Sequence, residues 1–251
     1  MVCERRGQMQ NFEFTKTMLI NNPEALERAI GTETLAVTGS ARGMTSLVSF
    51  TLYELGYFIG HELQMHNFED LEFQRAFPNR KVWSRPLKYR KPLRDLITAR
   101  NAEHVRWGFK IPGAVGYVPE LPPLLRNPVI VLCIRNPVAI CRSVMTRNPQ
   151  VSGGISTAYR NAKKWIPAMD FLMEHETLPS IILDMDGVQR QPKVFLREFS
   201  AALKLDGDLD DILPQISKRG YKRAESREGV RFMRSNGEPA PEIEHPKKLP
   251  S

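Results

Sequence analysis

Apolar positions along this chain follow two different periods, and their alternation predicts the order of elements. Leu35-Ala36-Val37, HVRWGFKIP (104–112), PVIVLCIRN (128–136) and SIILDMD (180–186) read as strands. The unbroken run within 128–136 is the pattern of a parallel strand buried on both faces. Between these segments apolar residues recur at turn spacing. Helices are predicted over about 43–56, 137–147, 156–175 and 191–205, with a short one at 119–127. In the 156–175 helix, Trp165, Met169, Leu172 and Met173 form the inner side. Residues 57–100 mix aromatic, basic and proline residues with weak periodicity and read as loops with a short helix or two, a candidate lid or acceptor wall.

The ends differ from this core. Asn22 and Pro23 cap and start a short helix that Gly31 stops, so residues 1–33 read as an N-terminal extension. From Arg231 the chain is polar and proline-rich, the composition of a disordered tail over 231–251. Residues 34–230 then form one α/β domain. Strands separated by helices imply three layers around a central parallel sheet, with ligands at the carboxyl ends of the strands.

Composition narrows the class. The 41% apolar and 25% charged content is that of a globular protein. No run approaches the roughly 18 apolar residues of a membrane span, and MVCERRGQMQNFEF lacks the apolar stretch of a signal peptide. Three cysteines without metal-like spacing give neither a disulfide framework nor a zinc site, and point to a reducing cytoplasm. A net charge of +8 favours an anionic partner. The basic residues are scattered and no nucleic-acid-binding motif accompanies them, so a small polyanionic cofactor or an anionic acceptor is expected rather than nucleic acid.

The chemistry concentrates in LAVTGSARGMTSLVSFTLYELG (35–56). A strand, a small-residue turn and an immediate helix aim backbone N–H groups and a helix N-terminus at one spot, which suits phosphate. Ser40, Ala41, Arg42, Gly43, Met44, Thr45 and Ser46 form that loop. A Walker A loop needs Lys before its hydroxyl residue. Here the cation is Arg42, inside the turn. Farther on, Arg135 ends an apolar strand, Asn136-Pro137 opens a helix, and Ser143 lies about 9 Å up that helix axis from the start of its first turn. An Arg fork and a hydroxyl on adjoining elements can grip a phosphate monoester.

These two motifs resemble those of sulfotransferases that use 3′-phosphoadenosine 5′-phosphosulfate (PAPS). Arg42-Gly43-Met44-Thr45-Ser46 is similar to that family's 5′-phosphosulfate loop, with Gly43 and Met44 in place of its usual Ser and Gly. Arg135-Asn136-Pro137 with Ser143 is similar to its 3′-phosphate site, and 181–206 to its closing strand and helix. Lys218-Arg219-Gly220 is a fainter echo of a third segment, a clamp on the 3′-phosphate.

The resemblance implies the three-layer α/β/α, P-loop-like sulfotransferase fold. It also implies in-line transfer of a sulfuryl group from PAPS to a hydroxyl or amine, releasing adenosine 3′,5′-bisphosphate and needing no metal. Arg42 and the 43–46 amides would stabilise the leaving phosphate, with Lys110 as a second cation. His61 and Glu62 are the candidate bases, and His104 reads as a strand-start residue. The acceptor would be a small molecule, a sugar or a lipid-like alcohol. Two alternatives stay open: a kinase or nucleotide hydrolase in which Asp184 holds magnesium, and a non-catalytic nucleotide-binding protein.

Overall fold

The protein is described by a computed structural model over residues 11–79, 83–147, 154–218, 220, 222–234 and 236–240. A hairpin of β1 (Phe12–Phe14) and β2 (Met18–Asn21) leads into helix α1 (Pro23–Ala29). The central unit follows as β3 (Thr34–Gly39), α2 (Thr45–Glu54), β4 (Glu62–Gln64), α3 (Leu71–Ala76), α4 (Lys91–Glu103) and β5 (Trp107–Lys110). After 3-10 turns over 112–124 come β6 (Pro128–Ile134), α5 (Pro137–Arg147), α6 (Ile155–Glu174) and β7 (Ser180–Asp184). The chain closes with α7 (Met185–Arg190), α8 (Pro192–Leu203), α9 (Leu209–Ser217) and β8 (Arg231–Met233).

The main sheet has the order β1-β2-β7-β6-β3-β5. Its four strands from β7 to β5 are parallel, and the hairpin adds an antiparallel edge. Side chains alternate across the sheet at the strand period of two. Leu35, Val37, Val129, Val131, Ile181 and Leu183 join α2, α8 and α9 in one core. Ala36, Ile130, Leu132, Trp107 and Phe109 face α4, α6 and the 3-10 turns in the other. The result is a three-layer α/β/α fold around a mostly parallel sheet, as the alternation of strands and helices implied.

The boundaries at both ends differ from expectation. Met18–Asn21 pairs with Ser180–Asp184, so residues before 34 extend the sheet rather than append to it. At the other end β8 pairs in parallel with β4, and Phe232 packs its ring 5.5 Å from both Tyr53 and Phe68. The Phe232 ring, the β4 ladder and an Arg231–Glu62 pair at 3.0 Å together hold residues 231–233 against the fold. Residues 241–251 of the expected tail lie outside the described residues. The 57–100 stretch, expected to hold loops and a short helix or two, also begins α4, a 13-residue helix that runs on to Glu103. Met173, expected on the inner side of α6, is 68% exposed, while Leu172 is buried.

Two devices set the loop between β3 and α2. Gly39 runs so close to β6 that a Cβ there would lie 2.6 Å from the Cys133 carbonyl oxygen. Thr38 Oγ1 donates to the Ile111 carbonyl at 3.1 Å, tying the end of β3 to the end of β5. No helix among the described residues is long and apolar enough to cross a membrane.

Candidate anion site at the carboxyl ends of β3 and β6

The 40–46 loop is a tight turn with two residues in the left-handed region. Gly43 N–H donates to the Ser40 carbonyl at 2.8 Å, and a Cβ on Gly43 would come within 2.6 Å of that oxygen. Arg42 (φ 66°) and Met44 (φ 64°) adopt left-handed backbone, at a cost of about 1–2 kcal/mol per non-glycine residue. Met44 is the N-cap of α2 and no side chain caps that helix. Its first turn carries no acidic residue, so the positive end of the helix dipole opens on the loop unopposed.

The two separated motifs meet here. Arg42 donates to Ser143 Oγ from Nε at 3.1 Å and from Nη2 at 3.0 Å. Arg135 Nη1 donates to the Arg42 carbonyl at 2.9 Å. Beyond it, Arg135 Nε lies 3.8 Å from Asp186 Oδ1, and the other Asp186 oxygen accepts from the Asn136 amide at 2.6 Å. Asp186 therefore fixes both Arg135 and the turn into α5. Two guanidinium groups, a hydroxyl and a helix N-terminus thus converge at the carboxyl ends of adjacent parallel strands. Such an arrangement has the donors and positive charge to hold an anion.

Lys110 approaches the same loop from β5. Its buried ammonium donates to the Asn67 carbonyl at 2.9 Å and to Glu69 Oε1 at 3.1 Å, and reaches Ser46 Oγ at 3.5 Å. Burial pulls the Lys110 pKa down, with Glu69 opposing the shift. Glu69 carries no mark in sequence spacing. The tertiary approach of the 65–70 segment to β5 is what brings it to this place.

Other expected site residues lie elsewhere. Ser40 is buried and its hydroxyl donates to the Asn161 carbonyl at 3.1 Å, so it anchors the loop to α6. Ala41 is exposed in the turn, and Thr45 is buried at the first position of α2. Glu62 is engaged by Arg75 at 2.6 Å and Arg231 at 3.0 Å. His61 faces Glu103 at 3.0 Å. Neither candidate base contacts Lys110 or Ser46 among the described bonds, because β4 turns them towards α3, α4 and β8. His104 caps the C-terminus of α4 ahead of β5. Lys218 ends α9, its carbonyl taken by Lys222, and Gly220 follows with φ 106°. No described contact joins Lys218 or Gly220 to Arg135 or Ser143, and Arg219 lies outside the described residues. Asp184 is the N-cap of α7, accepting from the Asp186 amide at 3.1 Å, and pairs with Arg190 at 3.6 Å.

No family model and no curated protein matches the sequence. Among solved structures the chain is similar to the sulfotransferase STF9 from Mycobacterium avium, at 10% identity and a TM-score of 0.39. The match covers 77% of this chain and 69% of that one. That likeness assigns no residue a role.

Proposed function

We propose that the protein is a sulfotransferase that takes its sulfuryl group from PAPS. The supporting observation is the meeting of Arg42, Arg135 and Ser143 beside an uncapped helix N-terminus. A nucleotide phosphorylated at both 3′ and 5′ positions has two anionic groups to place. Arg135 and Ser143 offer a site for the 3′-phosphate. Arg42 and the first-turn amides of α2 offer one for the 5′-phosphate. Arg42 touches Ser143, so the two subsites share a wall.

In the proposed reaction the acceptor hydroxyl oxygen bonds to sulfur as the sulfur–oxygen bond to the 5′-phosphate breaks. The phosphate leaves with the bonding pair on adenosine 3′,5′-bisphosphate, and the acceptor proton passes to a carboxylate. Arg42, Lys110 and the helix amides stabilise the charge that develops on the leaving oxygen. Glu69, held beside Lys110, replaces His61 and Glu62 as the candidate base. The acceptor is a small molecule, a sugar or a lipid-like alcohol.

Thermal melting with nucleotides tests the reading. Adenosine 3′,5′-bisphosphate should raise the melting temperature in the absence of magnesium, and ATP with magnesium should not. A shift with magnesium-ATP alone would replace this reading with a kinase or hydrolase. A shift with the bisphosphate but no transfer from PAPS to any hydroxyl acceptor would leave a nucleotide-binding protein.

A further inference from the structure

Among the described residues, one grouping of histidine and carboxylate side chains brings its donor atoms within 4.8 Å of one another: His61, Glu103 and His104. It lies beyond the amino end of β5, whereas the anion site lies past the carboxyl ends of the strands. We propose that His61 Nε2, His104 Nε2 and a Glu103 carboxylate oxygen form a binding site for a divalent transition-metal ion of the zinc class.

The hydrogen bonds leave a place for the ion. His61 Nδ1 is 2.9 Å from the Gly229 carbonyl, which can only accept, so Nδ1 carries the proton. A backbone carbonyl on the far ring nitrogen is the usual way a metal-ligating histidine is oriented. The Nε2 atom then meets Glu103 Oε2, itself an acceptor, at 3.0 Å. His104 Nε2 lies 3.7 Å from the same oxygen, is buried, and has no hydrogen-bond partner. Three acceptor atoms therefore converge on one point, and one cation satisfies all of them.

Distances and surroundings agree with that class of ion. Metal–ligand bonds of 2.0–2.2 Å in a tetrahedral site put ligand atoms about 3.4 Å apart; the two histidine–Glu103 separations are 3.0 and 3.7 Å, and all three donor atoms lie within 4.8 Å of one another. The ring of His104 is stacked on Phe58 at 3.7 Å between centroids, which fixes its plane. Two guanidinium groups stand near the site and oppose binding of a cation: Arg100, and Arg126, which donates to the His104 carbonyl at 2.6 Å. Arg100 lies over Phe58 at 4.8 Å, and its charge is paired with the Glu72 carboxylate. A cleft of about 290 Å³ borders Glu103 and His104. The ion would clip β4 and the Gly229 turn to the end of α4, and sulfuryl transfer does not run through it.

Titrating the full chain with cobalt(II) alone tests this, because its visible d–d bands report ligand type and number. One equivalent should bind with the spectrum of nitrogen and oxygen ligands. His61→Ala and Glu103→Gln should each weaken binding at least about tenfold. His104→Phe, which preserves the stack on Phe58, should do the same. Absence of saturable binding, binding unchanged in the variants, or a thiolate-to-cobalt charge-transfer band would each overturn the site. Glu103 is 51% exposed, so Glu103→Gln keeps the fold and decides the matter even if a histidine variant does not.

Discussion

Arg42 and Ser143, 101 residues apart, are joined by two hydrogen bonds from one guanidinium edge. The contact carries the first prediction. Ser143→Ala should weaken binding of adenosine 3′,5′-bisphosphate about 10- to 100-fold, since a hydrogen bond to a charged group contributes about 1.5–3 kcal/mol. Affinity for the 3′-dephospho analogue should stay nearly constant. Arg135→Ala should show the same selectivity. Isothermal titration of both nucleotides checks it, and equal losses for the two would remove the 3′-phosphate from this position.

Met44 gives a prediction in which stability and binding move apart. Asn22 caps α1 from the same left-handed backbone (φ 54°) and accepts from the Ala25 amide at 3.0 Å. Met44→Asn should cap α2 in that way, in a backbone conformation that asparagine tolerates well. The cap contributes about 1 kcal/mol, offset in part by lost packing of the half-buried Met44 side chain on the core. Urea unfolding should show stability unchanged or raised. Nucleotide affinity should fall, because the new side chain competes for the amides that would hold the 5′-phosphate. Stronger binding in the variant would mean that these amides are not the ligands.

The main strands and the meeting of the 40–46 loop with the Arg135–Ser143 corner were legible because each is written in a short local stretch. An apolar run between turn residues marks β3, β6 or β7 by itself, and Arg135 and Ser143 sit on one strand–helix corner. Features built by distant contacts were not legible. Helix α4 buries Leu93, Ile97 and Arg100 at helical spacing, but the third of these is a charge, 1% exposed and held by Asp70 and Glu72. An apolar count therefore misses the helix. The hairpin of β1 and β2 depends on pairing with β7, more than 150 residues away, and β8 on pairing with β4, also more than 150 residues away. Glu69 meets Lys110 only because β5 and the 65–70 segment are packed together. For the same reason His61 and Glu62, adjacent in sequence, serve different partners.

Asp184 separates the phosphate-transfer alternatives. As the N-cap of α7 it should tolerate Asp184→Asn with little loss of stability, while Asp184→Ala should cost about 1 kcal/mol. Magnesium-ATP should not raise the melting temperature of the native chain or of either variant. A magnesium-dependent rise that Asp184→Asn abolishes would make this residue a metal ligand and restore the kinase reading.

Asp70 makes stability depend on pH in an unusual direction. Its buried carboxyl accepts from the Glu72 and Phe73 amides at 3.0 Å each and lies 3.6 Å from Arg100. Burial pushes its pKa up to about 7 from an ordinary 3.8, and the Arg100 charge opposes that shift without cancelling it. Between those two values the folded chain keeps a proton that the unfolded chain releases. The stabilising contribution of this group is therefore complete below about pH 4 and is lost as pH rises through about 7. Asp70→Asn removes the titration while its carbonyl can still accept from the two amides. Urea unfolding of both proteins at about pH 5 and about pH 8 isolates the effect, because every other titrating group is common to the pair. The native chain should lose more stability between the two conditions than the variant. Equal losses would mean that Asp70 is ionised throughout and neutralised by Arg100, so that burial does not govern its charge.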